Sequence, residues 1–254
     1  MIRREPAPDE PADSWILIPQ IAHAVLAADL AQHWGQPPVA ELEPRDPLLW
    51  AVAHHDDGWE HWDAPPRFDA ALGRPRSFTE MALGESFAIW SASIDRAERR
   101  GPLEAWLIAG HFCALAERAT AFSDATRRKQ ARPFLDRYHA LQERWLAGWM
   151  AQSPQNQLET ARRALAQLQM FDALSLWLCC SRATENEQVM TPGGPAVTLQ
   201  PAGGQLVRLE PWPLRVSKLT LSVEAQVIPN SVRDAEQWAA APAESLQLRW
   251  ELAP

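Results

Sequence analysis

Apolar residues recur along the chain with two different periods, and the change falls near residue 183. Upstream, the spacing of three and four residues predicts helices. From Ile21 to Trp34, residues Leu26, Leu30 and Trp34 lie at helical spacing and the run stops at Gly35. The next helix is predicted over Pro47 to Asp57, with Asp46 as N-cap, Pro47 at the first helical position and Gly58 closing it. Further helices are expected over Glu80–Arg99, Leu103–Phe122, Pro133–Met150 and Gln155–Cys180, whereas "WEHWDAPPRFDAALGRPR" (59–76) shows no period and reads as a long loop. Downstream, "PAVTLQ", "GQLVRLEPWPLRV", "KLTLSVEAQVIP" and "SLQLRWELAP" alternate as short antiparallel strands, with a short helix near Arg233–Ala240. "WILIP" near the start is a candidate additional strand. The expectation is one compact domain over residues 1–254, mainly α, with a helical core at 15–183 and a small C-terminal antiparallel β appendage at 184–254.

Several ionisable residues fall on the apolar faces of these helices. His23 lies in line with Ala27, Leu30 and Trp34 and points inward, while His33 lies on the opposite, solvent side. His55 continues the Leu48, Ala51, Val52 face, and Asp56 continues Leu49, Val52 and Ala53. Successive helical residues diverge by about 100°, so this pair shares an ion only where the ion sits between their directions. A helix C-terminus carries partial negative charge and favours a cation there. His111 lies with Leu103, Leu107 and Leu115, and Asp172 with Leu165, Leu168, Leu176 and Cys179. A carboxylate in a stripe of leucines is costly to bury without a partner. Any one such group reads as a hydrogen-bonded core residue. Four helices each offering one point instead to a divalent ion (Mn, Fe, Zn or Mg) that satisfies several at once.

Composition narrows the classes. With 46% apolar residues in 254, a packed globular protein is expected. A net charge of -8 and a pI near 5.4 argue against nucleic acid as a partner. Of the three cysteines, Cys179 and Cys180 are neighbours in an apolar run, the usage of buried thiols in a reducing compartment, so a cytoplasmic address is expected. "MIRREPAPDEPADS" has no apolar stretch and no later segment approaches the roughly 20 apolar residues that span a bilayer, so neither signal peptide nor membrane anchor is expected. Thirteen tryptophans stand against one tyrosine. Trp34, Trp106 and Trp177 fall on apolar helical faces as core fillers, the other reading being a surface that stacks a ligand ring.

The order of the polar residues, a His, an adjacent His-Asp pair before a glycine, and a distant Asp on a late helix, resembles the HD-domain superfamily of metal-dependent phosphohydrolases. "IAHAVLA", "AHHDDGW" and "FDALSLWL" carry that resemblance. Over nearly the whole chain, "HAVLAADLAQHWG", "HHDDGWEHWDAPPRFD", "FTEMALGESFAIW", "FDALSLWLC" and "EPWPL" also resemble an uncharacterised bacterial family, domain of unknown function 3891.

The superfamily resemblance implies an HD-like helical core in which His23, His55, Asp56 and Asp172 bind the metal and His111 is an additional or second-metal ligand. Many superfamily hydrolases carry a lysine just after the glycine; here Trp59 stands there. Phosphate contacts then fall to Arg67, Arg74 or Arg76 in the long loop, or to Arg118 near His111, with Trp59 beside the substrate. Asp57 or His54 would take or relay a proton, a solvated helix end being the other reading, and Glu60, His61 and Asp63 would form a polar lid or plain loop surface. The implied function is phosphoester hydrolysis of a small phosphorylated compound or nucleotide by metal-activated water. The alternatives are a non-catalytic metal- or ligand-binding module and a di-iron oxygenase-type protein.

Overall fold

The computed structural model describes residues 1–4, 6, 10, 13–121, 123–180 and 185–254. Two strands come first, β1 (Ile2–Arg4) and β2 (Ser14–Ile18). Pro19, in extended conformation, ends the second, and α1 (Gln20–Gln32) begins at once. α2 (Arg45–His54) is followed by a tight 3-10 turn over Asp57–Trp59 and by the single turn of α3 (Glu60–Asp63). The segment expected as loop then holds a small hairpin, β3 (Phe68–Asp69) with β4 (Arg74–Pro75), and a capped 3-10 turn over Phe78–Glu80. Four long helices follow: α4 (Leu83–Arg100), α5 (Pro102–Ala121), α6 (Ala125–Met150) and α7 (Leu158–Cys180).

α5 is the central helix, because its residues from Leu103 to Cys113 are all buried, and a helix apolar all round has no face to give to water. α6 starts eight residues before Pro133, where Asp124 caps the Arg127 N–H at 2.8 Å, and carries Pro133 inside it.

The remainder is β5 (Glu187–Val189), β6 (Val197–Pro201), β7 (Leu206–Glu210), β8 (Leu219–Pro229), α8 (Ala235–Ala240) and β9 (Glu244–Ala253). These strands join β1 and β2 in a seven-stranded sheet of order β1-β2-β8-β9-β7-β6-β5, antiparallel throughout except for β7 beside β9. Along β8 and β9 burial alternates, so Leu221, Val223, Ala225, Leu248, Trp250 and Leu252 face the interior and their neighbours face water. That inner face and the helices share one hydrophobic cluster, in which Ile16, Ile18 and Trp250 belong with Leu26, Leu107 and Phe171.

This sheet corrects the mainly α reading and the all-α core. The β region is neither small nor C-terminal only, since β1 and β2 lie at its other edge and lead directly into α1. β1 escaped the sequence pattern because three residues, two of them arginines, are too few to show alternation. Its pairing and that of β2, where Ile16 meets Val227, are long-range facts that no local window contains.

Cys179 is buried but its neighbour Cys180 is exposed, as the divergence of adjacent helical residues requires. Among the described residues, no helix is long and apolar enough to cross a membrane.

Candidate metal centre

Four elements bring five ionisable side chains to one point. α1 supplies His23 from its first turns, the end of α2 supplies His55 and Asp56, α5 supplies His111 and α7 supplies Asp172. All are buried except Asp172, which is partly open. The helix carrying His55 stops earlier than its sequence suggests. α2 ends at His54, and Asp56 leaves the helix with φ -104° and ψ 17°. The two side chains are thereby freed from the divergence of helical neighbours, and His55 Nε2 lies 3.7 Å from Asp56 Oδ2.

Gly58 is required by the same turn. A Cβ there would lie 2.0 Å from the Ile89 carbonyl oxygen of α4, and the Gly58 N–H donates to Ser93 Oγ at 2.8 Å. Its role is this close approach, and the helix it was expected to close has already ended.

Hydrogen bonds fix the ring orientations. The Ser175 hydroxyl donates to the Asp172 carbonyl at 2.9 Å, so its oxygen is left to accept from His23 Nδ1 at 2.9 Å. His55 Nδ1 donates to the Val52 carbonyl at 2.8 Å. In both rings the Nε2 atom is turned to the carboxylates: His23 Nε2 is 2.9 Å from Asp56 Oδ2 and 3.9 Å from Asp172 Oδ1, and His55 Nε2 is 3.3 Å from Asp172 Oδ1. Without a metal these contacts are bridged by an imidazole proton, His23 Nε2 to Asp56 Oδ2 being a hydrogen bond, and a divalent ion would take that proton's place.

His111 Nε2 completes the group at 3.9 Å from Asp172 Oδ2. Its Nδ1, like His55 Nε2, is buried with no hydrogen-bond partner among the described residues.

The donor set fits a divalent ion. Ligand atoms held about 2.1 Å from one ion lie roughly 3–4 Å from each other, which is the spacing found. Imidazole nitrogens oriented by a backbone carbonyl and a hydroxyl on their far side are what metal-binding histidines require. The electrostatics agree. Burial alone would depress the His55 imidazole, but Asp56 and Asp172 outweigh burial and push it up to about 9. Burial dominates at His111 and pushes it down to about 4, Asp172 offsetting only part. Burial would raise both carboxyls, yet His55 and His23 hold Asp56 low, and His55 with His111 holds Asp172 well below the ordinary carboxylate range. The cluster is thus a pair of carboxylates held charged by the imidazoles beside them, a donor set that a divalent ion could use in place of the His55 proton.

A cleft of about 320 Å³ opens onto His23, Asp56, His111 and Asp172. Its walls are apolar: Trp59, Phe78, Trp90, Phe112, Leu115 and Leu176. Gln20, Thr79 and Ser86 add polar but uncharged groups. Sequence reasoning missed Ser175, Gln20 and Trp90. Only Ser175 carried a signal, lying one helical turn from Asp172.

The remaining expected residues are placed as follows. Trp59 is buried and lines the cleft. Arg118 is exposed on α5, seven residues and two turns beyond His111, and its charge reaches that imidazole.

His54 and Asp57 do not reach the cluster. They bond each other at 3.0 Å, His54 stacks on Trp50 and Arg96 donates to the Asp57 carbonyl. The loop arginines are held elsewhere too: Arg74 pairs with Glu80, Arg76 with Asp69 and Glu85, and Arg67 lies over the Trp62 ring. Glu60 pairs with Arg96 and His61 is exposed. Asp63 is buried, accepts the Gln20 N–H at 2.6 Å and pairs with the Met1 amine, so it pins the start of α1.

Fold and cluster together define an α+β protein whose helices carry a buried three-histidine, two-aspartate site at a cleft. The chain belongs to the family DUF3891, described as a protein of unknown function, whose model matches residues 1–230. No curated protein and no solved structure is significantly similar to it.

Proposed function

We propose that this protein is a divalent-metal-dependent hydrolase that cleaves a phosphoester of a small organic molecule. The observation that carries the reading is the convergence of His23, His55, Asp56 and Asp172 with their Nε2 and carboxylate atoms facing one another beside an open cleft. The order of these residues along the chain, which resembles that of the HD-type phosphohydrolases, supports it as well. A bound divalent ion supplies an acidified water and draws charge from a phosphoryl oxygen.

The chain's own residues do the rest. Ser175 and the Val52 carbonyl hold the two imidazoles in register, Asp63 anchors the helix that carries His23, and the apolar walls exclude bulk water from the reacting group. His111 lines the cleft with its Nε2 turned to Asp172 and so stands beside the reacting group, whereas His54 and Asp57 bond each other away from it.

The two donor triads, His23 with His55 and Asp56, and His55 with His111 and Asp172, share His55. An imidazole nitrogen has one lone pair, so both triads cannot be filled at once. This favours a single ion over the iron pair that oxygen chemistry would need.

The test is elemental analysis of the purified protein beside His55→Ala and Asp172→Ala, before and after reconstitution with Mn, Fe, Zn or Mg, followed by a phosphatase and nucleotidase screen. Stoichiometric metal lost in both variants, with metal-dependent phosphate release, is expected. Absence of metal under every condition overturns the reading. A metal bound firmly with no hydrolysis of any ester leaves a binding module instead.

A further inference from the structure

We infer that the cleft beside the metal cluster takes a planar, uncharged ring system bearing an N–H donor, seated among Trp59, Trp90 and Phe112 and met by the Gln20 amide. The inference deepens the hydrolase reading and rests on it only for what happens to the ligand once bound. Three observations point the same way.

The first is size and wall chemistry. An apolar cavity of about 150 Å³ holds a benzene ring. At about 320 Å³, this cleft has room for a bicyclic one. Trp90 is half-buried and is held parallel to Phe112, with centroids 5.2 Å apart, and Phe87 and Phe134 bracket it with their rings inclined. A tryptophan fixed on several sides and still open to a cleft is a rigid surface for another flat ring, which binds with little loss of side-chain freedom.

The second is charge. Among the described residues lining the cleft there is no lysine or arginine; Arg118 is exposed on α5 and the Met1 amine is paired with Asp63. A di- or triphosphate brings several negative charges, and phosphate-binding sites meet them with arginine or lysine side chains. Two carboxylates, Asp56 and Asp172, stand here instead. The substrate is therefore a monoester whose organic part is neutral, with its single phosphoryl group directed to the ion.

The third is an unpaired polar group. Gln20 is 3% exposed, its backbone N–H is spent on Asp63, and its side-chain Oε1 is buried without a partner among the described residues. Gln20 lines the cleft beside His23. A buried amide oxygen with no donor is costly, and a ligand N–H at that point removes the cost. It also makes the site selective, because a hydrocarbon ring of the same outline leaves the amide unpaired.

The probe is 2-quinolinone, a flat bicyclic lactam whose N–H adjoins its carbonyl, with naphthalene as the matching hydrocarbon and inorganic triphosphate as the charged competitor. Binding to the metal-free full chain is read by tryptophan fluorescence and calorimetry, so hydrolysis is not needed. Saturable 1:1 binding of 2-quinolinone that triphosphate does not displace is expected. Trp90→Ala weakens both ring probes by about tenfold, while Gln20→Leu weakens 2-quinolinone by about tenfold and leaves naphthalene unchanged.

Because Trp90→Ala also removes core packing, Ala119→Trp serves as a second variant. Ala119 is exposed at the cleft, and a bulky ring there blocks entry without disturbing the interior. No saturable binding, unchanged binding in Ala119→Trp, displacement by triphosphate, or equal weakening of both probes by Gln20→Leu overturns the inference. Ring binding that survives in a chain found to hold no metal overturns the hydrolase reading alone.

Discussion

Two His–Asp pairs overlap within the four residues His54 to Asp57, and they have opposite fates. The outer pair, His54 with Asp57, is closed on itself, with the His54 side chain 40% exposed and Arg96 nearby. The inner pair, His55 with Asp56, is buried and aimed at His23 and Asp172. Composition does not separate them. The difference arises where the helix ends: α2 stops at His54, Asp56 turns out of helical geometry, and Gly58 lets the turn sink onto α4. A solvated ion pair is worth little, whereas buried charges demand partners of matching geometry, so one residue of register decides which pair joins the buried cluster.

The largest effect expected from breaking this contrast is in Asp56→Ala beside Asp57→Ala. The first lowers metal affinity by more than about a hundredfold while most of the helical circular dichroism persists; the second retains stoichiometric metal. Equal loss in both variants would show that the outer pair shares the site.

Next is pH. With its imidazole raised to about 9, His55 carries a proton near neutrality in the metal-free protein and must release it to become a ligand. Metal affinity therefore rises about tenfold per pH unit from pH 7 and levels off above about pH 9. The sign for stability is the reverse. A folded-state value above the ordinary 6.5 stabilises the metal-free protein fully below 6.5 and is lost as pH rises through about 9. Thermal unfolding of metal-free and metal-loaded protein across that range should diverge, and parallel curves would remove His55 from the ligand set.

A smaller effect is expected of Gly58→Ala. Its Cβ meets the Ile89 carbonyl, so the turn must lift from α4 at a cost of about 1–3 kcal/mol in urea unfolding. Wild-type stability in that variant would mean the turn tolerates a side chain. The smallest belongs to Ser175→Ala, which frees the His23 ring and lowers metal affinity by about tenfold without changing the number of ions bound. Titration calorimetry separates affinity from stoichiometry, and an unchanged affinity would mean that packing alone orients the ring.

Much of the site was legible because burial of a charged group leaves a trace in sequence. His23, His111 and Asp172 each interrupt an apolar stripe, and helical periodicity alone says they face inward. The outer pair and the loop arginines were not separable from the clustered residues in the same way. Arg74 and Arg76 are occupied by Glu80, Asp69 and Glu85, partners that depend on how the hairpin folds. Gln20 gave no signal at all, since a glutamine at the start of a helix is ordinary until the cleft beside it is seen.

By itself, the sequence determined the long helices, strands β6 to β9 and the inward direction of His23, His111 and Asp172, all of them local consequences of side-chain period. The tertiary structure decided the rest. Pairing of β1 with β2 and of β2 with β8 turned an expected appendage into a seven-stranded sheet that seats α1, and the early end of α2 brought His55 and Asp56 to one point. Both depend on contacts between residues far apart in the chain, which no local pattern encodes.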